Sequence, residues 1–336
     1  MSECNLVQAK KGFVLLVTAS AMMIALDSQA QSTATIKVAN YFAEDHPQNV
    51  ALRERFKTSV EENSDMSVQI FPNSELGDER QYTNGVRNGS IEMVVAGMGL
   101  QTAEPKIGFA EWPFLFETYD QANTLLNGVV GDEIEPLFRK LGTEPLGWTA
   151  NGFRVISSNR PITRMEDFEG FRMRMPNLAM YVDVGQALGA NVQTLGFSEI
   201  FTALEQGVVD GQDNPYATLY NSGWYEVQSD VLESRHMFSP NIYLMNKKFF
   251  DNLSEEDQDV IKLAAEEAME MEWQLMKESE EDIKAKLQEG GLTIHVPSDD
   301  FRQNMVDAMD PLYEDFYEEY DWAKDLVNKV RTYSEQ

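Results

Sequence analysis

Ser254-Glu255-Glu256-Asp257 opens a run that continues to Glu289 without a proline or glycine, and the reading of this run decides the architecture. A serine followed by acidic residues in the next turn caps the exposed N–H groups of a helix start. At 1.5 Å per residue, a helix of this length spans roughly 50 Å, the width of a two-domain protein. Val260, Ala264, Ala268, Met271 and Leu275 recur at intervals of four and three, which places one apolar stripe along it. The run therefore predicts a long helix bracing two domains and ended by Gly290-Gly291, with a surface helix broken near Met276 as the alternative.

Outward from this helix, the chain has 336 residues, 43% of them hydrophobic, enough for two cores of ordinary size. Asp and Glu number 56 against 27 Lys and Arg, a net charge of −29. Such a surface repels phosphate backbones and anionic headgroups, which argues against nucleic-acid partners and peripheral membrane attachment. Lys10 and Lys11, the uncharged stretch from Gly12 to Leu26, and Ser28-Gln29-Ala30 read as a secretory signal removed after residue 30. The stretch is fifteen residues long, short of the ~20 that cross a bilayer. Cys4, the only cysteine, falls in that segment, so the exported chain is expected without disulfides, as suits a bacterial periplasm.

The mature chain begins in an α/β pattern. Thr35 to Ala39 alternates like a strand, and Val50, Leu52, Phe56 and Val60 follow at helical spacing. Met66 to Phe71 and Ile91 to Val95 read as further strands. Asn151 to Ser158 and Phe171 to Met175 read as strands of a second unit, with helices at Asn177 to Leu188 and Ser198 to Gln206. Phe301, Met305, Met309, Leu312 and Phe316 predict one last amphipathic helix folding back on the body. The fold class expected is α/β, a two-domain clamp of the periplasmic binding protein type with the long helix spanning both. Domain 1 would comprise residues 31–152 plus about 240–275, and domain 2 residues 153–239 plus about 276–336 with the C-terminal helices.

Catalytic and cofactor signatures are missing from the sequence. The three histidines, His46, His236 and His295, sit in no metal-ligand spacing, and Gly97-Met98-Gly99 lacks the third glycine of a dinucleotide turn. Carboxylate pairs carry no signal in so acidic a chain. Arginines do, because cations are scarce. In Phe171-Arg172-Met173-Arg174-Met175 strict alternation puts both guanidinium groups on one face of a strand. Arg154 lies on a neighbouring strand, and Asp210-Gly211-Gln212-Asp213-Asn214-Pro215 reads as a polar turn; a surface salt bridge is the plain alternative for each arginine.

Arg160-Pro161-Ile162, Asp167 through Pro176, Leu188-Gly189-Ala190, Phe197-Ser198-Glu199-Ile200 and Gly207 through Pro215 together resemble the DctP-type solute-binding proteins of TRAP transporters. Asn73 to Gly77, Gly89 to Met93, Trp112-Pro113-Phe114-Leu115-Phe116 and Trp224 to Gln228 extend the resemblance over nearly all of residues 35 to 330. It implies periplasmic capture of a small organic acid and delivery to a TRAP membrane permease, by a monomer without catalysis, cofactor, metal or direct membrane insertion. It assigns Arg174 a bidentate salt bridge to the ligand carboxylate, Asn214 a further contact to it, Arg154 the place of a second arginine, Asn177 a polar contact and Phe197 an aromatic wall. Asp213 stands where the family usually has glutamate, and Gly97 where members that bind sialic acid place one. Tyr41, Glu44 and Glu79 lie on segments that line the cleft in relatives, while Trp148 reads as core.

A planar guanidinium offers a carboxylate two parallel donors, a geometry lysine cannot reproduce, and screening beyond about 8 Å lets a local arginine overrule the distant acidic surface. A uronate or aldonate is the first expectation. A C4-dicarboxylate or small hydroxy acid, or a binding protein that serves a ligand sensor, remains the alternative.

Overall fold

A computed structural model describes residues 34–333; the expected signal segment and Cys4 lie outside the described residues. Ten strands form the sheet: β1 (Thr35–Ala39), β2 (Ser67–Phe71), β3 (Met93–Ala96), β4 (Thr143–Ser158), β5 (Arg172–Met175), β6 (Asn191–Thr194), β7 (Gly211–Pro215), β8 (Asp230–Leu232), β9 (Phe238–Asn246) and β10 (Thr293–His295). Their order is β2-β1-β3-β9-β4-β7-β5-β6, with β8 paired to both β4 and β10. At one end β1 runs parallel to β2 and β3; at the other β5 runs parallel to β6 and β7. The antiparallel strands β9 and β4 join these two parallel groups.

β4 makes the join. Its sixteen residues are in register with β9 as far as Phe153 and with β7 from Arg154 onward. Register with β9 slips twice, between Pro145 and Gly147 and between Ala150 and Gly152, where Gly152 sits at φ 110°. A Cβ there would stand 2.6 Å from the Tyr119 hydroxyl, so the position needs glycine for its dihedral and for close approach alike. Sequence reading recovered only the second half of β4 and passed over β9. All nine residues of β9 are buried, so it carries no in-out alternation from which a strand could be read.

The long helix is present and continuous over Glu255–Glu289, with the Ser254 hydroxyl accepting from the Asp257 N–H at 3.0 Å. It packs on the helical turns of Pro47–Ala51, Leu52–Lys57 and Thr58–Asn63, on β4, and on the helix Tyr216–Asn221 that follows β7. Both groups of strands are thereby braced. Its buried row is Ile261, Ala264, Ala265, Ala268, Trp273, Met276, Ile283 and Leu287, while Val260, Met271 and Leu275 of the expected stripe are half-buried. The buried face includes Glu272, which accepts from Gln48 Nε2 at 3.1 Å and the Ala150 N–H at 2.9 Å.

Two further expectations are corrected. The terminal segment is not one helix but Asp299–Asp307 and Asp310–Glu319, followed by Ala323–Arg331. Pro311 near the start of the second explains the break, since proline disrupts a helix interior but fits its first turn. Asp210 to Pro215 is not a turn; Gly211–Pro215 is a buried central strand. Trp148 is fully buried, as expected of core. Among the described residues, no helix is long and apolar enough to cross a membrane.

Candidate functional site

Parallel strands present the loops after their C-terminal ends to a common crevice, where α/β proteins bind ligands. Here the ends of β1, β3, β5, β6 and β7 deliver Tyr41, Gly97, Asn177, Phe197 and Asn214 to one cleft of about 590 Å³. Arg154, at the point where β4 changes partners, and Arg174, on β5, line the same cleft, as does Glu79. All seven residues singled out in the sequence are thus brought together. Glu44 is not among them: it pairs with Arg53 at 2.7 Å on the surface.

Arg174 is 4% exposed, and its Nε and Nη2 donate to the Leu195 carbonyl at 3.0 and 2.8 Å. That contact fixes the plane of the guanidinium. Among the described residues Nη1 has no protein hydrogen-bond partner. Burial, with the Arg154 charge nearby, lowers the Arg174 pKa to about 10, so the group stays cationic at neutral pH. Arg172, on the same strand face, pairs with Asp210 through Nη2 at 2.5 Å and Nε at 3.0 Å. Its side chain is 43% exposed, and the plain salt-bridge reading holds there.

Arg154 is engaged differently. Its Nε and Nη2 grip the Asp213 carboxylate at 2.5 and 3.0 Å, Nη1 donates to the Ser239 hydroxyl at 3.3 Å, and the guanidinium lies 4.9 Å from the Tyr181 ring centre. Burial alone would raise the Asp213 pKa, but Arg154 outweighs it and holds the carboxyl far below the usual range. His236 Nε2 lies 3.5 Å from the same carboxylate. Asp213 takes up the fork of Arg154, which leaves Arg174 as the buried arginine of the cleft with a donor to spare.

The opposite wall is acidic and aromatic. Glu79 begins the helix Glu79–Asn88, capped by Asp78 through a reciprocal pair with Gln81, and its Oε1 accepts from the Gly97 N–H at 2.9 Å. Burial raises the Glu79 pKa. A Cβ at position 97 would stand 3.0 Å from that oxygen, so glycine makes room for the carboxylate. Tyr41 stacks obliquely on Phe197 at 4.8 Å and accepts from Asn241 Nδ2 at 3.2 Å. Asn214 donates to Gln212 at 2.7 Å, and Asn177 is exposed at the rim.

Sequence reasoning missed Glu111, Tyr181 and Ser239, which also line the cleft. The Tyr181 hydroxyl donates to Glu111 Oε1 at 2.6 Å and the Ser239 hydroxyl does so at 3.3 Å. Burial pushes the Glu111 pKa up to about 7. The adjacent Trp112-Pro113-Phe114-Leu115-Phe116 was visible, but a carboxylate before it does not stand out in a chain with 56 acidic residues.

Residues 38–320 match the model of the bacterial extracellular solute-binding proteins, family 7. The fold is similar to a TRAP periplasmic solute-binding protein of Haemophilus influenzae with bound L-gulonate, at 40% identity and a TM-score of 0.86 over 89% of this chain and 99% of that one. A sugar-acid-binding protein of Advenella mimigardefordensis in complex with galactonate is 30% identical, with a TM-score of 0.84 over 89% and 99% of the two chains. A TRAP periplasmic solute-binding protein of Sulfurospirillum deleyianum with bound succinate is 29% identical, with a TM-score of 0.84 over 90% and 99%.

Proposed function

The chain belongs to the DctP solute-binding proteins, bacterial extracellular family 7, and on that premise we propose that it captures a sugar acid of the aldonate class for a TRAP-type secondary transporter. The observation that carries this reading is the spare Nη1 donor of Arg174 on a guanidinium buried in the cleft wall. A cation held in place by Leu195 and left with an unpaired donor selects an acid group, because a neutral guest closed over it would leave its charge uncompensated. Asn214 and Asn177 flank the carboxylate, Arg154 steadies the wall, Phe197 and Tyr41 cover the carbon chain, and Glu79 accepts from ligand hydroxyls. Relatives bound to L-gulonate and galactonate support a polyhydroxy acid.

The succinate-bound relative keeps a C4-dicarboxylate as the second reading. Glu79 disfavours it, since a second carboxylate reaching the opposite wall would meet an acidic group there. Two lobes, residues 31–152 plus about 240–275 and residues 153–239 plus about 276–336, close on the ligand as a hinged clamp. Closure is a population shift driven by contacts to both lobes, and it makes or breaks no covalent bond. The chain works in the periplasm as a monomer after loss of residues 1–30, and its macromolecular partner is the membrane permease.

A thermal-shift panel of aldonates, uronates and dicarboxylates tests the ligand class. Ligand at a hundredfold its Kd adds about 2.7 kcal/mol to stability, a shift of a few degrees. An aldonate such as L-gulonate should give the largest shift. A dicarboxylate leading the panel would install the second reading, and no response to any acid would overturn both.

A further inference from the structure

Glu111 is 3% exposed, yet it lines the cleft, and its second oxygen, Oε2, is buried and has no hydrogen-bond partner among the described residues. An orphaned carboxylate oxygen in a cleft wall is costly unless something answers it. Its other oxygen, Oε1, is already served. Tyr181 donates to it at 2.6 Å and Ser239 at 3.3 Å, and Ser239 itself accepts from Arg154 Nη1 at 3.3 Å, which turns the serine proton toward Glu111. With Oε1 held as an acceptor by two hydroxyls, a proton on this carboxyl sits on Oε2, the oxygen of this cleft-lining residue left to donate.

The charges around the cleft favour that proton once an anion arrives. The groups facing Glu111 are Tyr181 on the helix Ala179–Ala187, Arg154 on β4, Ser239 on β9, and Glu79 and Tyr41 on the opposite wall. Arg154 is neutralised by Asp213, so of the two buried arginines of the cleft Arg174 is left to balance a guest, while Arg80 and Arg87 line it from exposed positions. An ionised Glu111 would add a second negative charge beside the ligand carboxylate; a neutral one adds none and supplies a donor.

Resting on the sugar-acid reading above, we propose that Glu111 is a ligand-binding residue that presents a neutral carboxyl to the bound acid, with Oε2–H donating to the guest, so that binding above neutrality takes up one proton. The ligand class it fits is a hydroxy acid with an oxygen acceptor within reach of Oε2. The affinity falls as pH rises past the midpoint of the ligand-free carboxyl, because binding must then be preceded by protonation. With that midpoint near 7, L-gulonate binds about thirtyfold more weakly at pH 8.5 than at pH 6. Glu111→Gln reproduces the neutral form, its carbonyl accepting from Tyr181 and Ser239 and its amide donating into the cleft.

The experiment is calorimetry of the full mature chain with L-gulonate and galactonate from pH 6 to pH 9, in pairs of buffers with different ionisation enthalpies. Uptake approaching one proton at pH 8.5, and a Glu111→Gln variant that binds at least tenfold more tightly than the unaltered chain at that pH, are the expected results. In the ligand-free protein, a ¹³C-labelled glutamate carboxyl signal lost in Glu111→Gln should titrate near 7. Binding that is flat across this range with no proton uptake, a folded Glu111→Gln variant that binds more weakly at pH 8.5, or a carboxyl midpoint below 5 each overturns the inference while the sugar-acid reading stands. If neither aldonate binds at any pH, that reading falls and this inference with it.

Discussion

Replacing Arg174 by lysine keeps the charge and removes the fork. In the structure Nε and Nη2 hold the Leu195 carbonyl at 3.0 and 2.8 Å while Nη1 remains free, so the guanidinium is anchored at one edge and presents the other. A single ammonium cannot do both. If it bonds Leu195, the ligand loses its directed donor; if it turns to the ligand, a half-buried carbonyl is orphaned. Either outcome removes about one charge-assisted hydrogen bond, roughly 1.5–3 kcal/mol, which is on the order of 10- to 100-fold in Kd. The assay is calorimetry with L-gulonate at pH 6, accompanied by a thermal melt that establishes folding. Arg172→Lys is the control, because Arg172 shares the strand face but is paired with Asp210 outside the cleft, and its affinity should be unchanged. An Arg174→Lys protein that binds within threefold of the unaltered chain would refute the reasoning.

Asp213→Asn should destabilise by roughly 3 kcal/mol or more, since it strips the partner from a buried guanidinium; urea unfolding that shows less than about 1 kcal/mol of loss would contradict the pairing. Gly97→Ala presses a methyl to 3.0 Å from Glu79 Oε1, and the overpacking should weaken aldonate binding by roughly 1 kcal/mol, about fivefold. Equal affinity and equal melting temperature would count against a role for that contact. Glu111 has a folded-state pKa raised from 4.5 to about 7, so the unfolded chain releases this proton first. Its contribution is fully present below 4.5 and is lost as pH rises to 7, a fall of roughly 3 kcal/mol. The stability difference between the unaltered chain and Glu111→Gln, measured in urea at pH 5 and pH 8, should move by that amount in favour of the variant, and a pH-independent difference would oppose it.

Much of this was legible because it rests on local rules. The long helix follows from a cap, an uninterrupted run of helix formers and a terminal glycine pair, and the structure keeps those boundaries. The face shared by Arg172 and Arg174 follows from strand periodicity. What periodicity cannot supply is which of two arginines on one face meets a cleft. Asp210, 38 residues away in sequence, decides that by capturing Arg172. Buried strands such as β9 are illegible because a strand covered on both faces has no polar alternation, and the terminal helices read as one because the apolar spacing of Phe301, Met305, Met309, Leu312 and Phe316 continues across the break at Pro311. Glu111 was lost among many acidic residues; its significance lies in three-dimensional neighbours, Tyr181 and Ser239, that no spacing brings together.

A crystal structure of the mature chain grown with L-gulonate or galactonate tests the central claim most directly. The account predicts the ligand carboxylate within hydrogen-bond distance of Arg174 Nη1, with the hydroxylated chain running toward Glu79. A carboxylate bound elsewhere, with the guanidinium of Arg174 left facing solvent or hydroxyls alone, would contradict it.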